Sequence, residues 1–228
     1  GGTDFIHAEQ ISVSGVTTSQ AFIPSQGQLS NRNLIINGAM QVAQRATSAT
    51  TNGYGSVDRF TIFFTGTDES PTQAQVDVAS GTTPYTLGFR KALRITNGNQ
   101  TGGAGTSDAI HFQYYAESQD IANSGWNYLS SSSFVTLSFW IKSSVAQNFQ
   151  GRVRTRDGTS QNYAFETGSL SADTWTKVTK TIPGNSNLQF DNNTEKNLQT
   201  DIFAFLGTDD TSSAVSLDTW ATYTSGTQ

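Results

Sequence analysis

Two histidines, His7 and His111, are the only imidazoles in the 228-residue chain, and there is no cysteine. Neither histidine lies near a nucleophile motif, and no Gly-x-Ser-x-Gly occurs. His111 sits in an alternating stretch beside apolar positions, where a surface or hydrogen-bonded role is expected. A glycoside-cleaving carboxylate pair must stand about 5–9 Å apart in a cleft. Asp58, Asp77, Glu117, Asp120, Glu166 and Asp173 are the acidic candidates, and nothing in their spacing selects two of them. Asp209-Asp210 and Asp191-Asn192-Asn193 are oxygen-rich. A calcium loop, however, orders six to eight oxygen ligands, and that ordering is missing, so these segments read as solvated turns. Gly102-Gly103-Ala104-Gly105 lacks the Lys-Ser or Lys-Thr and the following helix of a phosphate loop. The expectation is a protein that is not an enzyme and carries no metal or cofactor.

The aromatic residues are the remaining chemical signal, because sugars stack their apolar faces on Trp and Tyr rings. Trp126 and Tyr128 lie in a loop beside Gly125, and Tyr54 lies in an earlier Thr, Ser and Asn loop. These three are the first candidates for a carbohydrate site. Packing is the default role for the others, Trp140 and Tyr85 included.

The elements that would position such residues are short. Val135, Leu137, Phe139 and Ile141 alternate with Thr136, Ser138, Trp140 and Lys142. A period of two marks a strand with one face in a core, and this strand is expected near the centre of the fold. Further strands are expected at 56–64, 73–79, 92–96, 110–115, 149–156, 162–167, 174–182 and 202–207. Turn signals at Asn37-Gly38, Asn97-Gly98, Asp157-Gly158 and Pro183-Gly184 punctuate the chain. Residues 119–123 are the one place where a turn of helix is expected, and no apolar periodicity follows Trp220. The pattern predicts an all-β antiparallel sandwich, of the jelly-roll or a related kind. Arg45 and Asp58 flank one loop and are expected to form a structural bidentate ion pair.

Composition narrows the partners. Charged residues are only 14% and the formal net charge is −5, with Lys and Arg scattered along the sequence, so a nucleic-acid partner is not expected. No apolar run approaches the 18 or so residues of a membrane helix, so membrane insertion is not expected either. A first residue of Gly and the polar start suggest a trimmed or processed chain without a signal peptide. Without cysteine there are no disulfides, which fits folding in a reducing cytoplasm.

Asn33-Leu34-Ile35-Ile36-Asn37-Gly38-Ala39-Met40-Gln41-Val42-Ala43-Gln44-Arg45, followed by Val57-Asp58-Arg59-Phe60, resembles the opening of a jelly-roll module of tailed-phage virion proteins. Val135 to Ser143, then Trp175 and Ile182-Pro183-Gly184, match the same module in the same order. The resemblance implies a jelly-roll sandwich similar to carbohydrate-binding modules, a virion location, in a tail fibre or surface fibre of the kind found in marine phages, and a homotrimer in contact with other virion proteins.

Residues 1–33 read differently from the domain at 34–228. They cannot build a core, and they read as an extended arm whose Phe5, Ile6, Ile11, Val13, Phe22 and Ile23 could pair with neighbouring copies. The functional expectation is a fibre subunit for assembly and host-surface attachment, with a host glycan as a further partner. The alternatives are a monomeric carbohydrate-binding module and a capsid decoration protein.

Overall fold

The computed structural model describes residues 33–99, 101–102, 105–211 and 215–224. The expected arm, with Phe5, Ile6, Ile11, Val13, Phe22 and Ile23, lies outside the described residues. What is described is an all-β fold of packed antiparallel sheets. In chain order the elements are β1 (Ser48–Ala49), β2 (Phe60–Thr65), β3 (Thr72–Asp77), α1 (Thr83–Thr86), β4 (Lys91–Thr96), β5 (Ala109–Glu117), α2 (Ser118–Ala122), β6 (Phe134–Ile141), β7 (Asn148–Arg154), β8 (Gln161–Ser169), β9 (Thr176–Pro183), β10 (Lys196–Leu206) and β11 (Trp220–Thr222).

The largest sheet has six strands in the order β11-β8-β7-β10-β5-β2, and two smaller sheets pair β6 with β9 and order β1-β3-β4. One face of the large sheet is apolar: Phe60, Tyr114, Val153, Tyr163, Phe165 and Leu198 are buried there. The paired strands β6 and β9 bring Leu137, Phe139, Val178 and Ile182 towards the same interior, where Ile182 joins the core. Burial of this apolar surface is the main favourable term in holding the layers together. Gly151 lets β7 come close to its neighbours. A Cβ at this position would lie 2.5 Å from the Phe165 ring and 2.7 Å from the Asp201 carbonyl oxygen.

Several expectations need correction. The strand around Val135–Ile141 does alternate, but it belongs to a two-stranded layer and pairs only with β9. Thr136 and Ser138 are exposed, so its clean period reports an outer layer open to water on one side. The interior positions of the large sheet belong to β5, β7, β8 and β10. β10 begins at Lys196 rather than 202, and β11 forms at Trp220 where no strand was expected. A second helical turn, α1, carries Pro84 in its first turn, where a fixed φ and a missing N–H are tolerated.

The Arg45–Asp58 pair does not form. Asp58 Oδ1 instead accepts the Gln44 backbone N–H at 3.1 Å, and the Arg45 guanidinium lies 5.8 Å from the Tyr54 ring centre. Satisfying a fixed backbone donor with a short side chain asks for less ordering than clamping a long arginine.

Asn37 holds the opening segment in place. Its φ is +59°, a left-handed conformation that Asn tolerates. Its Nδ2 donates to the Val42 and Asp58 carbonyls, each at 2.9 Å, and its Oδ1 accepts the Val42 N–H at 3.1 Å. The Tyr114 hydroxyl continues the stitching, donating to the Leu34 carbonyl at 2.8 Å and accepting the Ile36 N–H at 2.9 Å.

Asn37→Ala is therefore expected to lower unfolding stability by about 2 kcal/mol, since three hydrogen bonds and a tolerant backbone residue are lost together. Asn33→Ala, whose exposed side chain accepts only the Ile35 N–H, should change stability by less than about 0.5 kcal/mol. Urea denaturation of both variants checks the pair, and equal losses would remove the special role of Asn37.

Candidate functional site

The outer face of the six-stranded sheet is not a solvated polar surface but a built groove. Antiparallel register lines up residues from different strands in rows. Phe63, His111 and Phe203 stand opposite one another on β2, β5 and β10. The next row is Thr61, Gln113, Asp201 and Arg152, and the one after that is Tyr115, Gln199 and Arg154. Tyr223, just beyond β11, reaches over the edge of this face. Its ring lies 3.5 Å from the Arg154 guanidinium carbon and 5.4 Å from that of Arg152. The groove measures about 440 Å³, and Asp209 and Asp210 are among the residues that line it.

The floor is a buried polar network. Asp201 is fully buried and Arg152 is 4% exposed. Arg152 Nε donates to Asp201 Oδ2 at 2.5 Å. Gln199 Nε2 donates to both carboxylate oxygens, at 2.9 and 2.7 Å, while Gln199 Oε1 accepts Arg156 Nη1 at 3.0 Å. A bulge between Lys196 and Leu198 turns buried Asn197 aside. Its Oδ1 accepts the Arg156 N–H at 2.8 Å, which anchors the loop joining β7 to β8. Asp157 Oδ2 in that loop accepts Ser118 Oγ and the Asp191 N–H, both at 2.8 Å.

His111 departs from expectation. It is only 8% exposed, and neither ring nitrogen has a hydrogen-bond partner. The ring packs edge-on against Phe63 and Phe203, with centroids 5.4 and 4.7 Å away. Burial holds its pKa down, from 6.5 to about 4, with a smaller push in the same direction from Arg152 and an opposing one from Asp201. Burial likewise raises the Tyr115 hydroxyl. A neutral, unbonded imidazole is not set up as a base for a hydroxyl nucleophile. What the groove presents is ring faces, amides and guanidinium groups.

The three aromatic candidates are not brought together. Trp126 and Tyr128 pack on Phe190, with centroids 6.4 and 4.8 Å away, and Trp126 Nε1 donates to the Ser133 carbonyl. They staple a loop to the core. Tyr54 does approach the groove's basic end, since Lys196 Nζ lies 4.7 Å from its ring centre and 5.4 Å from that of Tyr115. The loop carrying Tyr54 is pinned by buried Gln73, whose Nε2 donates to the Thr51 and Gly53 carbonyls.

The acidic candidates are likewise dispersed. Asp77 pairs with Lys91 at 2.6 Å, Glu117 with Arg59 at 3.5 Å, and Asp58 caps Gln44. Among the described residues, no cluster of three or more His, Cys, Asp or Glu could hold a metal ion.

Sequence reasoning missed Arg152, Arg154, Arg156, Gln199 and Tyr223. The Arg-Val-Arg-Thr-Arg run was visible, and its period of two was the available signal: three cations on one face of a single strand, not scattered. A second space, about 760 Å³, opens between the layers beside Leu34, Trp126, Phe134 and Leu198.

Between pH 6.5 and about 4 the unfolded chain binds a proton at His111 that the fold refuses. Stability from this group is therefore complete above 6.5 and falls as pH drops through that window, by up to about 3 kcal/mol. His111→Phe keeps the ring contacts and removes the titration. Urea melts at pH 7, 5.5 and 4 should show the variant losing less stability on acidification than the parent; equal losses would place the pH dependence elsewhere. Comparison of the chain with protein-family models, curated proteins and solved structures returns no match.

Proposed function

We propose that this chain is a non-enzymatic attachment subunit of a tailed-phage fibre that binds a cell-surface glycan along the outer face of its six-stranded sheet. The observation that carries the binding part is the groove itself. Tyr115, Tyr223 and half-exposed Phe63 offer ring faces, Gln113 and the arginines offer polar groups, and all are mounted on paired strands or tied to them. Sites on rigid sheet positions lose little entropy when a ligand binds. The phage context is supported by the motifs at 33–45, 57–60 and 135–143, whose residues serve the fold as the Asn37 hub and the β6–β9 layer. In this reading the sandwich is a jelly-roll module, and residues 1–33 join copies into a homotrimer.

The test is a glycan array probed with the full chain, alongside light scattering. Binding to surface polysaccharides is expected, with Tyr115→Ala weakening it about tenfold, equivalent to about 1.4 kcal/mol, and Tyr85→Ala, away from the groove, leaving it unchanged. A solution mass near three times 24.5 kDa is expected. Failure of the folded chain to retain any glycan overturns the binding role, and a mass near 24.5 kDa overturns the trimer.

A further inference from the structure

The cations of the groove are unequally provided for. Arg152, Arg154 and Arg156 alternate along one strand and its continuation, so their side chains leave the same face. Arg152 alone meets a carboxylate, Asp201. Arg154 Nε donates to the Ser160 hydroxyl at 3.0 Å, and Arg156 Nη1 donates to the Gln199 amide oxygen at 3.0 Å. Both partners are neutral, and neither arginine forms an ion pair with any described residue. Lys196 adds a fourth positive charge at the same end, over Tyr54 and Tyr115.

Arg154 is the best placed of the four. It is half-buried, and the Tyr223 ring 3.5 Å away fixes the plane of its guanidinium. Tyr223 is itself held, its N–H donating to the Ser160 carbonyl at 2.8 Å. With Nε used by Ser160, Nη1 and Nη2 of Arg154 have no partner among the described residues. Burial and the neighbouring Arg152 and Arg156 all disfavour its charged form, opposed by Tyr223 and Asp201. Three like charges gathered on one face are a local expense to the fold. An incoming anion would turn that repulsion into charge-assisted, two-pronged hydrogen bonding. Asp201 cannot play that part, because Arg152 and Gln199 already occupy both of its oxygens. The Asp209 N–H donates to the Thr106 carbonyl, ahead of β5, whereas Arg154 stands in the row of Gln199 and Tyr115 near that strand's other end.

We infer that the Arg154–Arg156 end of the groove is a subsite for the anionic group, carboxylate or sulfate, of an acidic polysaccharide. This rests on the groove being a glycan site, and it names the chemical class of the glycan. The rest of the chain would lie along the sheet over Tyr115 and His111, with its acidic group against Arg154 and Arg156.

The experiment is calorimetric titration of the full chain with four probes: a polyuronate, a sulfated dextran, uncharged dextran and a single-stranded oligonucleotide. Tight binding of the polyuronate or the sulfated polymer, weakened by added salt, is expected, and the stronger of the two tells which anion is held. Arg154→Gln should weaken that binding about tenfold and flatten its salt dependence, and Arg156→Gln, at an exposed position, should do the same without risk to the fold. Dextran bound as well as the acidic polymers, and unaffected by Arg156→Gln, overturns the anionic subsite while leaving the glycan groove standing. No polysaccharide bound at all overturns both. Preference for the oligonucleotide overturns the polysaccharide assignment.

Discussion

A buried ion pair sits where the large sheet is least able to accommodate an error. Arg152 and Asp201 face each other directly across β7 and β10, both shut away from water. Desolvating two charges is expensive, and such a pair holds only while both partners and their remaining hydrogen-bond sites are satisfied. Gln199 supplies that satisfaction at the carboxylate. The consequence is positional more than energetic. A slip of one residue between β7 and β10 would move a charge into the apolar interior beside Phe165 and leave its partner unpaired. Gly151 tightens the same constraint, because no larger residue fits between the Phe165 ring and the Asp201 carbonyl. The register so fixed also aligns Tyr115, Gln199 and Arg154, so the groove inherits its geometry from the pair beneath it.

The two faces of this sheet perform different tasks with the same alternation. Inward residues, such as Val153, Phe165 and Leu198, are ordinary apolar packing. Outward residues are polar yet mostly buried: Gln73 aside, many of the buried polar side chains, including Arg152, Gln113, Asn162, Gln199 and Asp201, lie on this face of the sheet. A polar face that is buried by its own neighbours must be hydrogen-bonded to persist. The two ring nitrogens of His111 and Asn162 Oδ1 are the exceptions among the described residues; His111 is tolerated because Phe63 and Phe203 flank it and because burial keeps it neutral. A surface built this way is stiff, and stiffness favours recognition by a preformed site.

How much of this the sequence disclosed depends on which face a strand shows. β6 and β9 were easy to read because one side is core and the other is water. β10 was half-hidden. Leu198 and Ile202 point inward, but Asn197, Gln199 and Asp201 between them look like a loop when they are in fact buried. Hydrophobic periodicity cannot separate a polar residue in water from a polar residue in a network. The groove was harder still, because Phe63, His111, Arg152, Gln199 and Tyr223 converge only through strand pairing across 160 residues of sequence. Trp126 and Tyr128 drew attention as loop aromatics, and their actual role is to clamp Phe190.

The charge distribution bears on how a ligand is met. The chain as a whole is acidic, at −5, so at long range a polyanion is repelled rather than steered, and salt within a Debye length of about 8–10 Å screens even that. On the proposed reading the arginines act only at contact, through charge-assisted hydrogen bonds. Long-range repulsion with short-range attraction penalises unspecific polyanions that cannot seat a group against Arg154. It leaves untouched a ligand whose uncharged stretches lie over Tyr115 and His111. On the proposed reading, the bulk charge sets the threshold for approach, and the planar guanidinium on Tyr223 sets the geometry that crosses it.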